Sequence, residues 1–324
     1  MTTYKEIHGT NIEVLASDPS NPVEGQVWYN STSKSLKGQS FIGDSISTGG
    51  NYPQSLYQAG SAGTQTAAIG FGGRVPPSSN RTAVAAIYNG TNWTTVNSMN
   101  SRRSIFQSSF GTSTSAIGVN GQGPPSPPPA FSTAVEEYNG TNWSEVASTN
   151  TKRRIMSGCG ATGTSGLVAG GLNDAAENQV LTETWNGSAW TEVNDLNTAR
   201  SQQVGAGTIT AAVAAGGTDS VESWNGTNWT AITASPTALS IGGGTQTAII
   251  ANAGSSSDTS VFIYNGSSWA TSAATFSTTH PSGGFSGNPG TAALFFAGSP
   301  SSTTNVTSEF NFGTGSTTVT FTGS

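Results

Sequence analysis

The stretch Tyr88-Asn89-Gly90-Thr91-Asn92-Trp93 decides the fold, because it recurs along the chain. Five further copies, one identical and four more varied, begin at Tyr138, Trp185, Trp224, Tyr264 and Phe310. The stretch predicts a β-hairpin. An aromatic residue ends one strand, Asn-Gly forms a turn with positive φ at both positions, and a Trp enters the return strand. The copies lie 39 to 50 residues apart, and repeats of that length are typical of a β-propeller or a solenoid.

A Gly-Thr pair upstream of each hairpin marks the same repeat, and a small apolar run such as Ala211–Ala215 follows most of the pairs. Small residues suit strands that are crowded near a central axis. Each unit is predicted to contain strand A, the Gly-Thr turn, strand B, a loop, strand C, the Asn-Gly turn and strand D. Six units predict an all-β fold, a six-bladed propeller over residues 51–324. We expect no shared closing blade, with Thr317–Phe321 as the last outer strand; the alternative is seven blades, with Trp28–Leu36 in the extra one.

The composition limits the classes of function. Charged residues make up 9% of the 324-residue chain, which suits short strands and turns better than helices. The regular aromatic spacing argues against disorder. With a net charge of −6 and a single cysteine, Cys159, the chain has no footprint for nucleic acid and no disulfide framework. No apolar run reaches the length of about 20 residues that spans a bilayer. We therefore expect no cofactor, no nucleic-acid partner and no membrane insertion.

Residues 1–50 lie outside the repeat, and we expect them to form an attachment arm of short β-hairpins. One hairpin is predicted within residues 4–15, another pairs Gly25–Asn30 with Lys34–Lys37, and residues 47–51 are predicted as a linker. Two isolated hairpins bury too little apolar surface to be stable alone, so the arm is predicted to pack on the propeller or on a partner. The partner is favoured because the six predicted blades are already complete. Its candidate partner-binding residues are Val27, Trp28, Tyr29 and Leu36.

The two ends of the predicted ring differ. The A–B and C–D turns lie at one end and are short and uniform. The B–C loops and D–A crossings lie at the other end, where Arg74–Arg81, Gly123–Pro129 and Leu172–Asn178 differ from blade to blade. Because binding residues are commonly carried on variable loops of a rigid scaffold, function is predicted at this second end.

The D–A crossings bring most of the arginines to the same end. These candidate ligand-binding residues are Arg102, Arg103, Arg153, Arg154 and Arg200. Guanidinium forks suit carboxylate or phosphate groups and stack on flat rings. The alternative is that they bond backbone carbonyls and acidic residues of the scaffold, because buried charged side chains are usually paired.

The blade resembles Kelch repeats over residues 52–324. An Arg lies near the start of strand A in blades 2 to 4, a Gly pair follows strand B at Gly72-Gly73, Gly170-Gly171 and Gly216-Gly217, and an aromatic residue precedes a Trp. Blade 2 lacks the Gly pair, blade 1 lacks the Arg, and blades 5 and 6 lack both. The Gly-Thr-Asn-Trp run also resembles part of a sialidase Asp box, with Tyr88 in the place of the Asp.

Residues Pro22–Thr32 are similar to a stretch of structural proteins from tailed phages of marine bacteria, particularly cyanophages. The resemblance implies a virion protein, such as a tail fibre, an appendage or a capsid decoration. Such a protein is made in the host cytoplasm and needs no export signal. The arm would then bind other virion proteins, and the variable end of the propeller would bind host surface glycan or another virion protein.

The alternatives to a virion protein are a glycan-active propeller enzyme, chiefly of sialidase type, and an intracellular Kelch adaptor. Copper chemistry of the galactose-oxidase kind requires two His ligands, but only His280 lies in the propeller, and His8 is expected to be a solvated turn residue. A sialidase requires an arginine triad, a Tyr nucleophile and a carboxylate. The available carboxylates, on or near predicted strands, are Glu136, Glu137, Glu183, Asp195 and Glu222. Since no acid–base pair stands out, the sequence favours a binding protein, and no partner domain accompanies the repeats to suggest an adaptor.

Overall fold

The chain is built entirely of strands and turns in the residues that the structure describes. This computed structural model describes residues 12–20, 22, 26–41, 43–78, 80–123, 131–201, 203–253, 257–280, 282–287, 291–298, 304–313 and 316–321. Within them, no helix is long and apolar enough to cross a membrane. The chain divides into a smaller unit, residues 1–45 with 312–324, and a larger unit, residues 46–311.

The strands in chain order are β1 (Glu13–Leu15), β2 (Val27–Asn30), β3 (Ser35–Phe41), β4 (Ser45–Gly49), β5 (Gly60–Thr64), β6 (Ala67–Phe71), β7 (Arg74–Val75), β8 (Asn80–Arg81), β9 (Ala85–Tyr88), β10 (Trp93–Val96), β11 (Ser109–Thr112), β12 (Ser115–Val119), β13 (Val135–Tyr138), β14 (Trp143–Val146), β15 (Ser157–Thr162), β16 (Ser165–Ala169), β17 (Thr182–Trp185), β18 (Trp190–Val193), β19 (Gln203–Thr208), β20 (Ala211–Gly216), β21 (Val221–Trp224), β22 (Trp229–Ile232), β23 (Leu239–Thr245), β24 (Ala248–Ala253), β25 (Ser260–Tyr264), β26 (Trp269–Thr275), β27 (Gly284–Ser286), β28 (Ala292–Phe296), β29 (Thr307–Asn311) and β30 (Ser316–Phe321).

The smaller unit is one sheet in the order β1-β2-β3-β30. The predicted hairpin between β2 and β3 is confirmed, and β30 continues the sheet antiparallel to β3. Strand β1 runs parallel to β2, and residues 4–11 of the other predicted hairpin lie outside the described residues. Asp18 ties the sheet together, since its carboxylate accepts hydrogen bonds from Trp28 Nε1 at 3.0 Å and Asn30 Nδ2 at 2.7 Å and pairs with Lys37 Nζ at 2.6 Å. These bonds, that of Lys37 first, lower the pKa of Asp18 to about 2.

The larger unit contains six four-stranded sheets in its described part. Five are formed by four strands consecutive in sequence, apart from the small β7–β8 ribbon inserted in the first sheet, and the sixth combines β27, β28 and β29 with β4. The first strands of the sheets, β5, β11, β15, β19, β23 and β27, contact one another in a closed cycle. This arrangement is a β-propeller-like fold, and it confirms the predicted A-B-C-D strand order.

The closure of the ring differs from the prediction. The outer strand of the sixth sheet is β4, which precedes the repeats, whereas Thr317–Phe321 belong to β30 and pair with β3. Ser47 Oγ in β4 donates to Glu309 Oε2 at 3.1 Å. The predicted linker at residues 47–51 and the predicted boundary between 1–50 and 51–324 are therefore wrong. A polar Ser-Thr-Gly strand looks like a linker in sequence because an outer strand needs few apolar side chains.

The Asn-Gly hairpins are confirmed, but their turn is not the predicted two-residue type. Tyr88 pairs directly with Trp93, so four residues form the loop. The side-chain Oδ1 of Asn89 accepts the backbone N–H groups of Thr91 at 3.0 Å and Asn92 at 2.9 Å. Only Gly90 has positive φ, at 89°. The Asn therefore closes the loop with its side chain, as Asx turns do, and does not itself adopt the left-handed conformation.

In the described part of the larger unit, the core consists of six apolar clusters, one between each pair of neighbouring sheets. The repeated aromatic residues lie in these clusters. Between the first two sheets, for example, the ring of Trp143 packs 4.7 Å from that of Phe71 and 5.2 Å from that of Tyr138. The predicted packing of the aromatic residues between blades is confirmed.

Replacing Trp143 with Ala should lower the free energy of unfolding by about 3–5 kcal/mol, because a large buried aromatic is lost from a core. Trp143→Phe should cost much less, since the buried Trp143 Nε1 has no hydrogen-bond partner among the described residues. Urea unfolding of both variants measures the two losses. A loss below about 1 kcal/mol for Trp143→Ala, typical of surface changes, would contradict the packing role.

The axis of the ring is lined by backbone more than by side chains. A Cβ on Gly205 of β19 would lie 2.4 Å from the carbonyl oxygen of Gly158 in β15. Only Gly permits this approach between neighbouring inner strands. The small apolar run at residues 211–215 that was predicted beside the axis is in β20, the second strand of its sheet.

Candidate functional site

One end of the ring, here called the loop face, is formed where the crossing into each inner strand pairs with the residue that follows strand B. The equivalent backbone pairs in the first three sheets are Tyr57 with Arg74, Ser104 with Gln122, and Arg154 with Leu172. The segment that leads into strand C then pairs, in each of these sheets, with the same residue that follows strand B. The returning pairs are Arg74 with Arg81, Gln122 with Phe131, and Leu172 with Asn178. The backbone pattern is thus repeated, while the side chains that it carries are not.

Three guanidinium groups share this face and are here called the arginine cluster: Arg74, Arg81 and Arg154. Arg74 donates through Nη2 to Gln122 Oε1 and through Nε to Ser104 Oγ, the latter at 3.5 Å. The Arg74 guanidinium carbon lies 5.9 Å from the centre of the Tyr57 ring, and that of Arg154 lies 4.9 Å from the centre of the Phe131 ring. Both distances are those of cation–π contacts.

The arginines of the cluster act on one another electrostatically. Burial lowers the pKa of Arg81, the positive charges of Arg74 and Arg154 lower it further, and Tyr57 opposes the change. Burial, and then the charge of Arg74, lower the pKa of Arg154. The ion pairs of the described residues are Lys37–Asp18, Arg103–Glu136, Arg153–Glu183 and Arg200–Glu222. Neither Arg74 nor Arg154 belongs to them.

The backbone beside the cluster is strained. Ile155, directly after Arg154, has a φ of 57°, and Gln58, directly after Tyr57, has a φ of 56°. A β-branched residue in the left-handed region is an outlier, and such strain is concentrated at functional sites. The Ile155 side chain is buried in an apolar cluster, so packing holds this conformation in place.

Three of the five arginines that the sequence singled out are interior. Arg103, Arg153 and Arg200 are at most 2% exposed and pair with glutamates at 2.8, 2.7 and 2.6 Å. This geometry matches the alternative of pairing within the scaffold. Arg102 is exposed, and Arg154 alone joins the cluster. The sequence marked Arg74 and Arg81 only as the ends of a variable loop, and it gave no signal for Tyr57, Gln122 and Phe131.

The interior arginines form a repeated network. Arg153 donates through Nη1 to the carbonyls of Gly170 and Leu181, both at 2.6 Å. Its partner Glu183 also accepts from the backbone N–H of Asn150 at 2.8 Å and from its Nδ2 at 3.0 Å. The same network joins each crossing to strand C in the second and fourth sheets, so these glutamates serve the scaffold.

His280 takes the corresponding place in the sixth sheet. Its Nδ1 lies 2.7 Å from the carbonyl of Ala297, and its Nε2 lies 2.9 Å from Ser308 Oγ. Burial lowers the pKa of His280 to about 4. A neutral ring that donates from Nδ1 and accepts at Nε2 satisfies both contacts, so His280 has a structural role. Residue His8 lies outside the described residues.

The opposite end of the axis opens into a cavity of about 200 Å³, lined largely by Gly and Ser of the inner strands. Cys159 is among the lining residues, but its side chain packs in an apolar cluster, and burial raises the pKa of its thiol to about 12. A thiol with such a pKa is not a nucleophile at neutral pH. In the described part of the chain, no group of His, Cys, Asp or Glu is placed to hold a metal ion.

The candidate partner-binding residues of the smaller unit differ in exposure. Trp28 is fully buried, so it is not on the surface of the folded chain. Val27, Tyr29 and Leu36 are half-buried. Among the described residues of this unit, the most exposed large apolar side chains are Val14, at 66%, and Phe321, at 50%. Residues 124–130, which contain the Pro-rich loop of the second sheet, lie outside the described residues.

Comparison with known proteins gives a likeness of fold. No family model matches the chain, and no curated protein is similar to it. Among solved structures, the chain is similar to YjhT, with a TM-score of 0.62 and 11% identity over 80% of this chain and 95% of that chain. At this identity the likeness concerns the fold and carries no activity across.

Proposed function

We propose that the chain is a structural protein of a phage virion, made in the host cytoplasm, whose ring binds a glycan of the host surface or another virion protein. The loop face carries this proposal, because its repeated backbone holds side chains that differ at every equivalent position, such as Arg74, Gln122 and Leu172. Variable side chains on a rigid scaffold are typical of a binding surface. The likeness of Pro22–Thr32 to proteins of marine tailed phages supports the virion part, as a tail fibre, an appendage or a capsid decoration.

We also propose that the ring is a six-bladed, Kelch-like propeller. The left-handed pair after strand B supports this, because the second and sixth units retain its conformation without having two glycines. Gly72-Gly73 in the first unit has φ values of 63° and 106°, while Asn120-Gly121 in the second has 55° and 98°, and Ala297-Gly298 in the sixth has 55° and 114°. The pair of left-handed residues, a Kelch-like feature, is therefore present in these units although the residue types differ.

The smaller unit is proposed to join the chain to other virion proteins. Its exposed Val14 lies on β1, an edge strand of a four-stranded sheet. An edge strand offers unpaired backbone groups to which a partner strand can add.

A binding role is favoured over a glycan-active enzyme by the positions of three carboxylates. Glu136, Glu183 and Glu222 are at most 1% exposed and engaged with arginines. Glycosidases of the two-carboxylate kind need one acid that releases and accepts a proton at the substrate. Glutamates committed to buried ion pairs do not serve that purpose.

Two measurements test this function. An antibody raised against the full chain should label particles of the source phage in negative stain, and the purified full chain should bind host cells saturably. Periodate oxidation of the cell surface, which destroys sugar diols, should abolish that binding if the receptor is a glycan. Binding that survives periodate would point to a protein receptor, and unlabelled particles would contradict the virion role.

A further inference from the structure

We propose that the arginine cluster binds an oxyanion, the carboxylate, sulfate or phosphate group of an acidic glycan. The glycan part of this inference rests on the proposed function, whereas the oxyanion site rests on the cluster alone. The site comprises Arg74, Arg81 and Arg154, with Gln122 and Ser104 as neutral polar neighbours.

Connected contacts hold the three guanidinium groups at one place. Arg74 and Arg81 are direct partners in the two-stranded β7–β8 ribbon, so their side chains project from the same side of it. Arg74 also reaches Gln122, whose backbone pairs with Phe131. The Phe131 ring in turn lies under Arg154. The cluster therefore joins residues from the first three sheets.

Folding alone does not account for this cluster. Like charges placed directly opposite each other on paired strands destabilise the pairing, and desolvation adds to that cost. The chain carries 17 acidic and 11 basic residues, yet Arg74 and Arg154 form no ion pair with any described carboxylate. The interior arginines, in contrast, each have a glutamate. A bound anion would supply the missing negative charge.

The aromatic contacts leave part of the guanidinium edge of Arg74 and of Arg154 available. Tyr57 and Phe131 lie against the guanidinium groups of Arg74 and Arg154, and a cation–π contact uses the face of the group. The N–H donors lie around its edge, where a planar oxyanion accepts two parallel hydrogen bonds. Arg74 donates through Nε to Ser104 and through Nη2 to Gln122, which leaves its Nη1 group for a ligand.

Titration calorimetry on the full chain tests the site, with glucuronate, inorganic sulfate and inorganic phosphate as probes and glucose as the neutral control. Sodium chloride holds the ionic strength constant, because exposed charges are screened by salt. We expect at least one oxyanion to bind and glucose not to bind. Arg74→Gln and Arg154→Gln should each weaken that binding about tenfold or more, since each removes a charged fork. The tightest probe identifies the group that the site accepts.

Lys34→Gln is the matched control, because it removes one positive charge from an exposed turn of the smaller unit. Its affinity should stay within about twofold of the natural chain, as expected for a screened surface charge. Arg154→Lys keeps the charge but loses the fork, so its affinity should be intermediate. Without ligand, Arg74→Gln should melt at the same or a higher temperature because it relieves repulsion, whereas a purely structural arginine would lower the melting temperature.

The site is overturned if the natural chain binds none of the three oxyanions, if Lys34→Gln weakens binding as much as the cluster variants, or if the cluster variants bind as tightly as the natural chain. These results are distinct from failure of the proposed function. Oxyanion binding by a chain that neither labels virions nor binds host cells would support the site and contradict the virion role. Host binding that survives Arg74→Gln and Arg154→Gln would place the receptor elsewhere.

Discussion

A chain cut to residues 45–313 should fold cooperatively, whereas a chain cut to residues 51–313 should lose much of its stability. The two differ only by β4, the outer strand of the sixth sheet. Loss of a five-residue strand removes its ladder of backbone hydrogen bonds, each with a net value of about 1 kcal/mol. It also removes Ile46, which packs against the apolar cluster between the fifth and sixth sheets. We expect a loss of about 5 kcal/mol, a large fraction of the 5–15 kcal/mol typical of whole domains.

Thermal unfolding followed by circular dichroism compares the two truncated chains. Because both lack the strands of the smaller unit, their difference isolates residues 45–50. The shorter chain should also associate, since it exposes the edge of β29, and an unpaired edge promotes strand addition between molecules. Equal melting temperatures for the two chains would show that β4 does not close the ring.

The repeat predicted the architecture because each of its signals is local. The Tyr88 and Trp93 pair, the turn between them and the Gly-Thr pair all lie within one unit, so their spacing directly reflects strand length. The closure could not be predicted in this way. Strand β4 pairs with β29, which lies far away in sequence, and its polar residues give no period that marks it as a strand.

The candidate site was predicted only in part, for a related reason. The interior pairs do have a sequence signal: Asn150 precedes Arg153 by three residues, Glu183 precedes Trp185 by two, and the same spacing recurs at Asn197, Arg200 and Glu222. Pairing could therefore have been inferred from the repeat. The arginine cluster has no such signal, because Arg74 belongs to the first sheet and Arg154 to the third, and only the folded ring brings them together. The one local signal for a cluster residue is that Arg74 directly follows the pair Gly72-Gly73.

Removing Glu183 should be among the most damaging single changes in the chain. Arg153 would remain fully buried without its counter-charge, and Asn150 would lose both of its hydrogen bonds to the carboxylate. Breaking a buried ion pair by deleting one partner costs about 3–5 kcal/mol. For Glu183→Ala we expect the upper end, about 5 kcal/mol, because charged hydrogen bonds are lost as well. Lys152→Ala, an exposed neighbour of Arg153, should change the free energy of unfolding by less than about 0.5 kcal/mol.

The first sheet shows how the site would look if both Arg153 and Glu183 were replaced by apolar residues. In the first sheet, Leu56 and Ala86 occupy the places of Arg153 and Glu183, and both are fully buried in one apolar cluster. Replacing both charged partners with apolar groups is often neutral or stabilising, since no charge is left in the core. Arg153→Leu combined with Glu183→Ala should therefore unfold at a higher urea concentration than Glu183→Ala alone. Arg153→Leu alone completes the comparison. If the free energy of unfolding lost in the double variant equals the sum of the losses in the two single variants, the residues do not act as a pair.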